Sequence, residues 1–155
     1  MTKPSPLVIG FGNRLRGDDG AGLWVAEQLQ AQRTSMHVLA CQQLTPELAA
    51  AVGAARAVLF IDASTADSED GGEAPSLRPI AAEQVAQAGA EPLSHGLSPT
   101  RLLALTSALY GHCPPAWELL IPGQVWEIGE GLSPAADRTS SAALPLVLAW
   151  GASHA

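Results

Sequence analysis

Short uninterrupted apolar runs alternate along this chain with stretches whose apolar residues recur every three or four positions. Residues 7–11, Leu-Val-Ile-Gly-Phe, form the first such run and stop at Gly12-Asn13, a turn signal. A helix is expected from Asp18-Asp19 to about Arg33, with Val25, Ala26 and Leu29 on one face. Residues 36–41 read as a second strand. Thr45-Pro46 then opens a short helix that reaches about Gly53. Residues 56–61 make a third strand, closed by Asp62. Its Ala-Val-Leu-Phe-Ile lacks alternation, as a parallel strand covered on both faces should.

The polar stretch 64–76 reads as a surface loop, and 77–81 as a short edge strand. Ser98-Pro99 starts a helix over 100–110, with Leu102, Leu105, Thr106 and Leu109 on its apolar stripe and Gly111 as its stop. Residues 117–121 and 125–128 form one strand bent at Pro122-Gly123, or two pieces. Ser133-Pro134 caps a last helix that reaches about Trp150 and is kinked at Pro145. This order predicts an α/β fold: a single-domain three-layer sandwich over residues 1–155, with a mostly parallel twisted sheet of about five strands and helices on both faces.

Composition narrows the function. The chain has 155 residues, enough for one core, and 47% of them are apolar, which excludes disorder. A net charge of −7 with 8 Lys and Arg leaves no basic stripe for nucleic acid. No apolar run approaches a membrane span of roughly 20 residues. Residues 1–6 lack the apolar core of a signal peptide, and Cys41 and Cys113 are far apart with no paired spacing. A cytoplasmic protein without a disulfide framework or a thiolate zinc site is expected.

Three residues carry candidate chemistry: Asp19 in Gly10-Phe-Gly-Asn-Arg-Leu-Arg-Gly-Asp-Asp-Gly-Ala-Gly22, Asp62 at a strand end, and His95 in Ser94-His-Gly-Leu-Ser-Pro99. Ligands in open α/β sheets bind beyond the carboxyl ends of the strands, and all three fall there in the predicted order. Two oxygen donors and one imidazole suit a borderline divalent metal. Each also has a plainer reading. Asp18 and Asp19 suit the first turn of a helix, and a neutral His95 suits a helix N-terminus whether or not it binds metal. A strand-end acid is harder to explain by packing, because burial of a carboxylate is costly. The glycines of the first motif let the loop pass close to a substrate backbone. A dinucleotide fingerprint would need its third glycine at position 15, which is Leu15, and no Lys-Ser or Lys-Thr follows to make a phosphate loop. His37, His112 and His154 read as structural or exposed, and Trp117, Trp126 and Trp150 as core and packing residues. The Glu130 turn reads as an ordinary capped turn or as a wall beside the site.

On these motifs, and on Phe60-Ile-Asp-Ala63 and Gly129-Glu-Gly-Leu-Ser-Pro134 in their order and spacing, the chain resembles the hydrogenase maturation proteases over nearly its whole length. These endopeptidases remove the C-terminal extension of nickel–iron hydrogenase large subunits. The resemblance implies that Asp19, Asp62 and His95 are the metal ligands and carry the catalysis. It also implies that Gly12, Asn13 and Gln42 contact substrate. Nickel comes with the precursor, held by the precursor's thiolates, and no tightly bound organic cofactor is expected. The partner is the large-subunit precursor, and relatives suggest a monomer. Two positions depart from the pattern. Asp19 stands where relatives often have Glu. Gln42-Gln-Leu-Thr-Pro-Glu-Leu48 stands where many have Asp-Gly-Gly-Thr, and it looks like the branch serving soluble cofactor-reducing hydrogenases, with Gln42 in place of that branch's His. A free-standing metal-dependent amidase or peptidase, and a non-catalytic metal-sensing chaperone, use the same residues and remain open at this point.

Overall fold

The computed structural model describes residues 4–32, 34–65, 74–90 and 97–155. Five strands form one sheet in the order β2-β1-β3-β5-β4. They are β1 (Leu7–Phe11), β2 (His37–Cys41), β3 (Val58–Thr65), β4 (Ser76–Pro79) and β5 (Ala116–Gly123). Strands β2, β1, β3 and β5 are parallel, and β4 runs antiparallel to β5 at one edge. The predicted edge strand is therefore present, shifted by one or two residues.

Side-chain alternation along the strands divides the core in two. Val8, Leu59, Ile61, Leu119 and Ile121 pack against α1 (Ala21–Ala31) and α5 (Pro134–Ser153), through Val25, Leu29, Val147 and Trp150. Leu7, Ile9, Val58 and Phe60 pack on the opposite face against α2 (Leu48–Ala54) and α4 (Pro99–Tyr110), through Val52, Leu102 and Leu103. α3 (Ala82–Ala88) packs on α4, and its Val85 joins the second cluster. The three-layer α/β sandwich is as expected. Each fully buried Leu or Val contributes roughly 1.5–3 kcal/mol, so both clusters are needed to hold the sheet between its helices.

Several local expectations change. The acidic residues Asp18 and Asp19 lie in a 3-10 turn, Gly17–Gly20, and the α-helix begins only at Ala21. α2 starts at Leu48, because the Thr45-Pro46 segment first makes a turn in which the N–H of Leu48 bonds to the Thr45 carbonyl at 3.1 Å. β3 does not end at Asp62. It runs on to Thr65, because β5 continues through Pro122 and offers partners as far as Gly123. Residues 125–128 form no strand: the chain leaves the sheet after Gly123 and crosses towards the first motif, with Ile128 85% exposed. On α4, Leu103 is buried while Leu109 is exposed, since the helix end projects past the sheet. α3 has too little apolar periodicity to be seen in the sequence. α5 runs through Pro145 to Ser153. Ser98 and Ser133 cap α4 and α5 as expected, accepting from the N–H groups of Arg101 and Ala136. The acidic residues of the predicted loop, Asp67, Glu69, Asp70 and Glu73, lie outside the described residues. Among the described residues no helix is long and apolar enough to cross a membrane.

Candidate active site

Strand order fixes where a ligand can enter. From β1 the chain crosses through α1 on one face to β2, then through α2 on the other face to β3 on the far side of β1. The chain leaves β1 for α1 on one face and passes from β3 to β5 by way of β4, α3 and α4, with α4 on the other face, so the connections part at the carboxyl ends of β1 and β3. This is the topological switch point, where open α/β sheets bind their ligands. Asp62 stands on one side of it. β1 ends at Phe11, one residue past the Gly10–Ile61 pairing, so Asp62 is at the rim on the β1 side although β5 still pairs it with Leu120. By alternation it shares the sheet face of Val58 and Phe60, the face covered by α2 and α4.

The glycine motif brings Asp19 to the other side. A Cβ at Gly22 would overlap the carbonyl oxygen of Ile61, and one at Gly10 would overlap that of Gly22. One at Gly12, whose φ is 150°, would overlap the carbonyl oxygen of Asp19 itself. The glycines thus allow a close approach, but between parts of the protein's own backbone. They draw the start of α1 down onto β1 and β3. Gly22→Ala should cost about 1–3 kcal/mol and displace the acidic turn, because the added methyl meets a backbone carbonyl that cannot rotate away. Thermal unfolding together with the Asp62 titration would check both effects, and an unchanged titration would separate helix packing from site geometry.

Asp19 is fixed by the N–H of Asn13, which donates to its Oδ2 at 2.9 Å. Asn13 in turn is held by its own side chain, whose Oδ1 accepts from the Leu15 N–H at 2.9 Å. The Asp62 carboxylate accepts from the N–H of Ala63 at 2.8 Å. Burial pushes the Asp62 carboxyl from 3.8 up to about 7, against that hydrogen bond, and the negative charges of Asp19 and Glu118 add to the rise. Glu118 lies opposite Phe60 in β5 and is ion-paired with Arg78 at 2.9 Å. Asp19 and Asp62 are thus close enough to feel one another. A buried carboxyl with a second acid nearby is a group whose ionisation a cation would favour.

His95 lies outside the described residues. The chain is described again from Leu97, which packs on the same cluster as Phe60, and α4 begins at Pro99. Among the described residues no group of three His, Cys, Asp or Glu side chains could hold a metal. Gly12 is buried under the acidic turn. Asn13 and Gln42 line a cleft of about 390 Å³ with Leu15, Leu23, Ala40 and Cys41. Burial pushes the Cys41 thiol up, which suits a packing role better than that of a nucleophile. Glu130 and Leu132 line a separate cleft of about 320 Å³ over the start of α1, with Trp24 and Arg14. Of the other histidines, His37 and His112 are exposed and His154 packs on tryptophans. Trp117 and Trp150 meet edge to face, His154 lies tilted against both, and His112 bridges the carbonyls of Gly53 and Tyr110.

Sequence reasoning missed the role of Asp18. It is fully buried and accepts four hydrogen bonds: from the N–H groups of Gln124 at 2.7 Å, Val125 at 2.9 Å and Ser133 at 2.7 Å, and from the Ser133 hydroxyl at 2.8 Å. Burial alone would raise its pKa, but these donors outweigh burial and hold the carboxyl below its usual value. Asp18 ties the acidic turn to the segment after β5, and two backbone bonds between Leu15, Gly17 and Gly129 reinforce the tie. The one available signal was the pair of adjacent acids, which a helix N-terminus alone does not require.

No family model and no curated protein matches the chain. Solved structures do. The hydrogenase maturating endopeptidase HybD from E. coli superposes with a TM-score of 0.73 at 20% identity, covering 94% of this chain and 91% of that one. The hydrogenase 2 maturation peptidase of a Thaumarchaeota archaeon gives 0.69 at 21% identity, covering 94% and 97%. The [NiFe] hydrogenase maturation protease HybD from Thermococcus kodakarensis gives 0.70 at 19% identity, covering 95% and 99%. The doubly wound sheet of this chain is therefore the fold of the hydrogenase maturation endopeptidases.

Proposed function

We propose that this protein is a hydrolase of peptide bonds that removes the C-terminal extension of a nickel–iron hydrogenase large-subunit precursor after nickel has been inserted. The observation that supports the reading is the placement of the Asp19 turn and of Asp62 at the same carboxyl rim of β1 and β3, set by the glycine motif. A carboxylate pair with one member reluctant to ionise is suited to meet a cation that arrives from outside. His95 supplies the third donor, an imidazole of the kind that suits nickel. The nickel belongs to the substrate and stays on the precursor's thiolates. Asp19, Asp62 and His95 occupy its open positions, which seats the neighbouring peptide bond at the rim. There the ion's charge polarises the scissile carbonyl or activates a water. The protein works in the cytoplasm as a monomer and needs no organic cofactor.

The decisive experiment mixes the protein with nickel-loaded and with nickel-free precursor and follows the precursor's intact mass. Trimming of the loaded form alone is the expected result. Trimming of both forms by a protein that carries its own stoichiometric metal would identify a free-standing metallopeptidase instead. Binding without any mass change would identify a chaperone. His95→Ala should lower trimming of the loaded precursor by at least about a hundredfold, roughly 3 kcal/mol in the barrier, with an unaltered unfolding curve. Near wild-type trimming by that variant would remove His95 from the site.

A further inference from the structure

β2 is the outermost strand on its side of the sheet. Its register with β1, with the His37 N–H bonded to the Pro6 carbonyl and the Gly12 N–H to the Cys41 carbonyl, turns the backbone groups of residues 37, 39 and 41 inward. Those of Val38 and Ala40 therefore point outward, along a free edge. An unpaired edge is a template for another extended chain. This one is treated unequally along its length. At Val38 the carbonyl is closed by the Gln30 side chain, whose Nε2 donates to it at 3.0 Å. At Ala40, one pleat nearer the carboxyl rim, no described residue pairs with the outward groups. Beside Ala40 lies the 390 Å³ cleft, walled by Leu15 and Leu23 and reaching Asn13, whose N–H holds Asp19.

We propose that the precursor's peptide binds as an added strand on this half-open edge, exchanging backbone hydrogen bonds with Ala40 and seating an apolar side chain between Leu15 and Leu23. The inference rests on the protease reading and specifies how the substrate reaches the acids. Strand addition draws its affinity from backbone bonds and its selectivity from the side-chain pocket alongside. It also holds the peptide extended, the conformation in which one carbonyl can be presented to a fixed site. Continuity decides the occupant: the cleft beside the open edge ends at Asn13, whose N–H bonds the Asp19 carboxylate, so a chain lying there is led towards the site. Gln30 closes the half of the edge that leads away.

Ala40→Pro tests this directly. An outward N–H on an edge strand makes no ladder bond, so proline removes it without breaking the sheet. The variant should keep its unfolding midpoint and trim nickel-loaded precursor with kcat/KM reduced about tenfold or more, mainly through KM. In the wild-type protein, a saturating synthetic peptide spanning the precursor's scissile site and extension should slow hydrogen exchange at the Ala40 amide. Wild-type kinetics in Ala40→Pro would overturn the proposal while leaving the protease reading intact. So would an Ala40 amide that exchanges equally fast with and without peptide, whatever the variant does. A concentration-dependent dimer that protects Ala40 in the free protein would assign the edge to a second copy. Failure of the wild-type protein to trim any nickel-loaded precursor would overturn the protease reading and this inference with it.

Discussion

Asp62→Asn should abolish trimming, lowering it at least about a hundredfold, while making the metal-free protein more stable at alkaline pH. The two effects share a cause. In an unfolded chain this carboxyl ionises near 3.8, and in the fold near 7. Between those values the unfolded chain has released a proton that the folded chain keeps, so stability falls as pH rises, and the loss is complete above about pH 7. At about 1.4 kcal/mol per pH unit, the ionised group costs a few kcal/mol. Asparagine keeps the shape, cannot ionise and escapes that cost. Unfolding of the wild type and the variant should therefore diverge from about pH 4 to about pH 8, with the variant ahead at the alkaline end. Parallel curves would show that Asp62 is not held against its own ionisation. A variant that still trims would remove it from the chemistry.

Asp18→Ala should be the most damaging substitution to the fold, at about 3–5 kcal/mol. It leaves three backbone N–H groups and a hydroxyl without their acceptor at a part-buried corner, each worth roughly 1–3 kcal/mol when unsatisfied, less whatever water recovers. The sign with pH is opposite to that of Asp62. The Asp18 carboxyl is held below its ordinary value of 3.8, so its contribution is fully present above about that pH and is lost as acid protonates the folded form. Denaturant unfolding at neutral pH checks the size, and the acid limb of stability checks the sign. A loss under about 1 kcal/mol would mean that water substitutes for the carboxylate. Activity should fall with stability, since the Asp19 turn is anchored through Asp18.

Much of the layer architecture was legible because its cause is local. A parallel strand buried on both faces must be continuously apolar, and Val58–Ile61 can be little else. Capping serines followed by proline mark where α4 and α5 begin. The misreadings have physical causes as well. Asp62 looked like a strand end because an acid rarely lies within a ladder, yet β5 carries the pairing three residues further. Residues 125–128 alternate like a strand, but Val125 and Gly129 spend their backbone groups on the first motif instead of on the sheet. Asp18 and Asp19 are neighbours of the same type with different fates, one an internal anchor for the far end of the chain and one held locally by the Asn13 N–H. Only the fold can separate them, because the groups that distinguish them arrive from the far end of the chain.

That distance has a consequence for biogenesis. The donors that anchor Asp18 come from positions 106, 107 and 115 residues downstream. During synthesis the first motif leaves the ribosome long before any of them exists. Contacts so remote in sequence form late, since a large loop must close first. A nascent or truncated chain that stops short of Ser133 has no fastened acidic turn, so this corner of the fold is completed only after that residue has emerged.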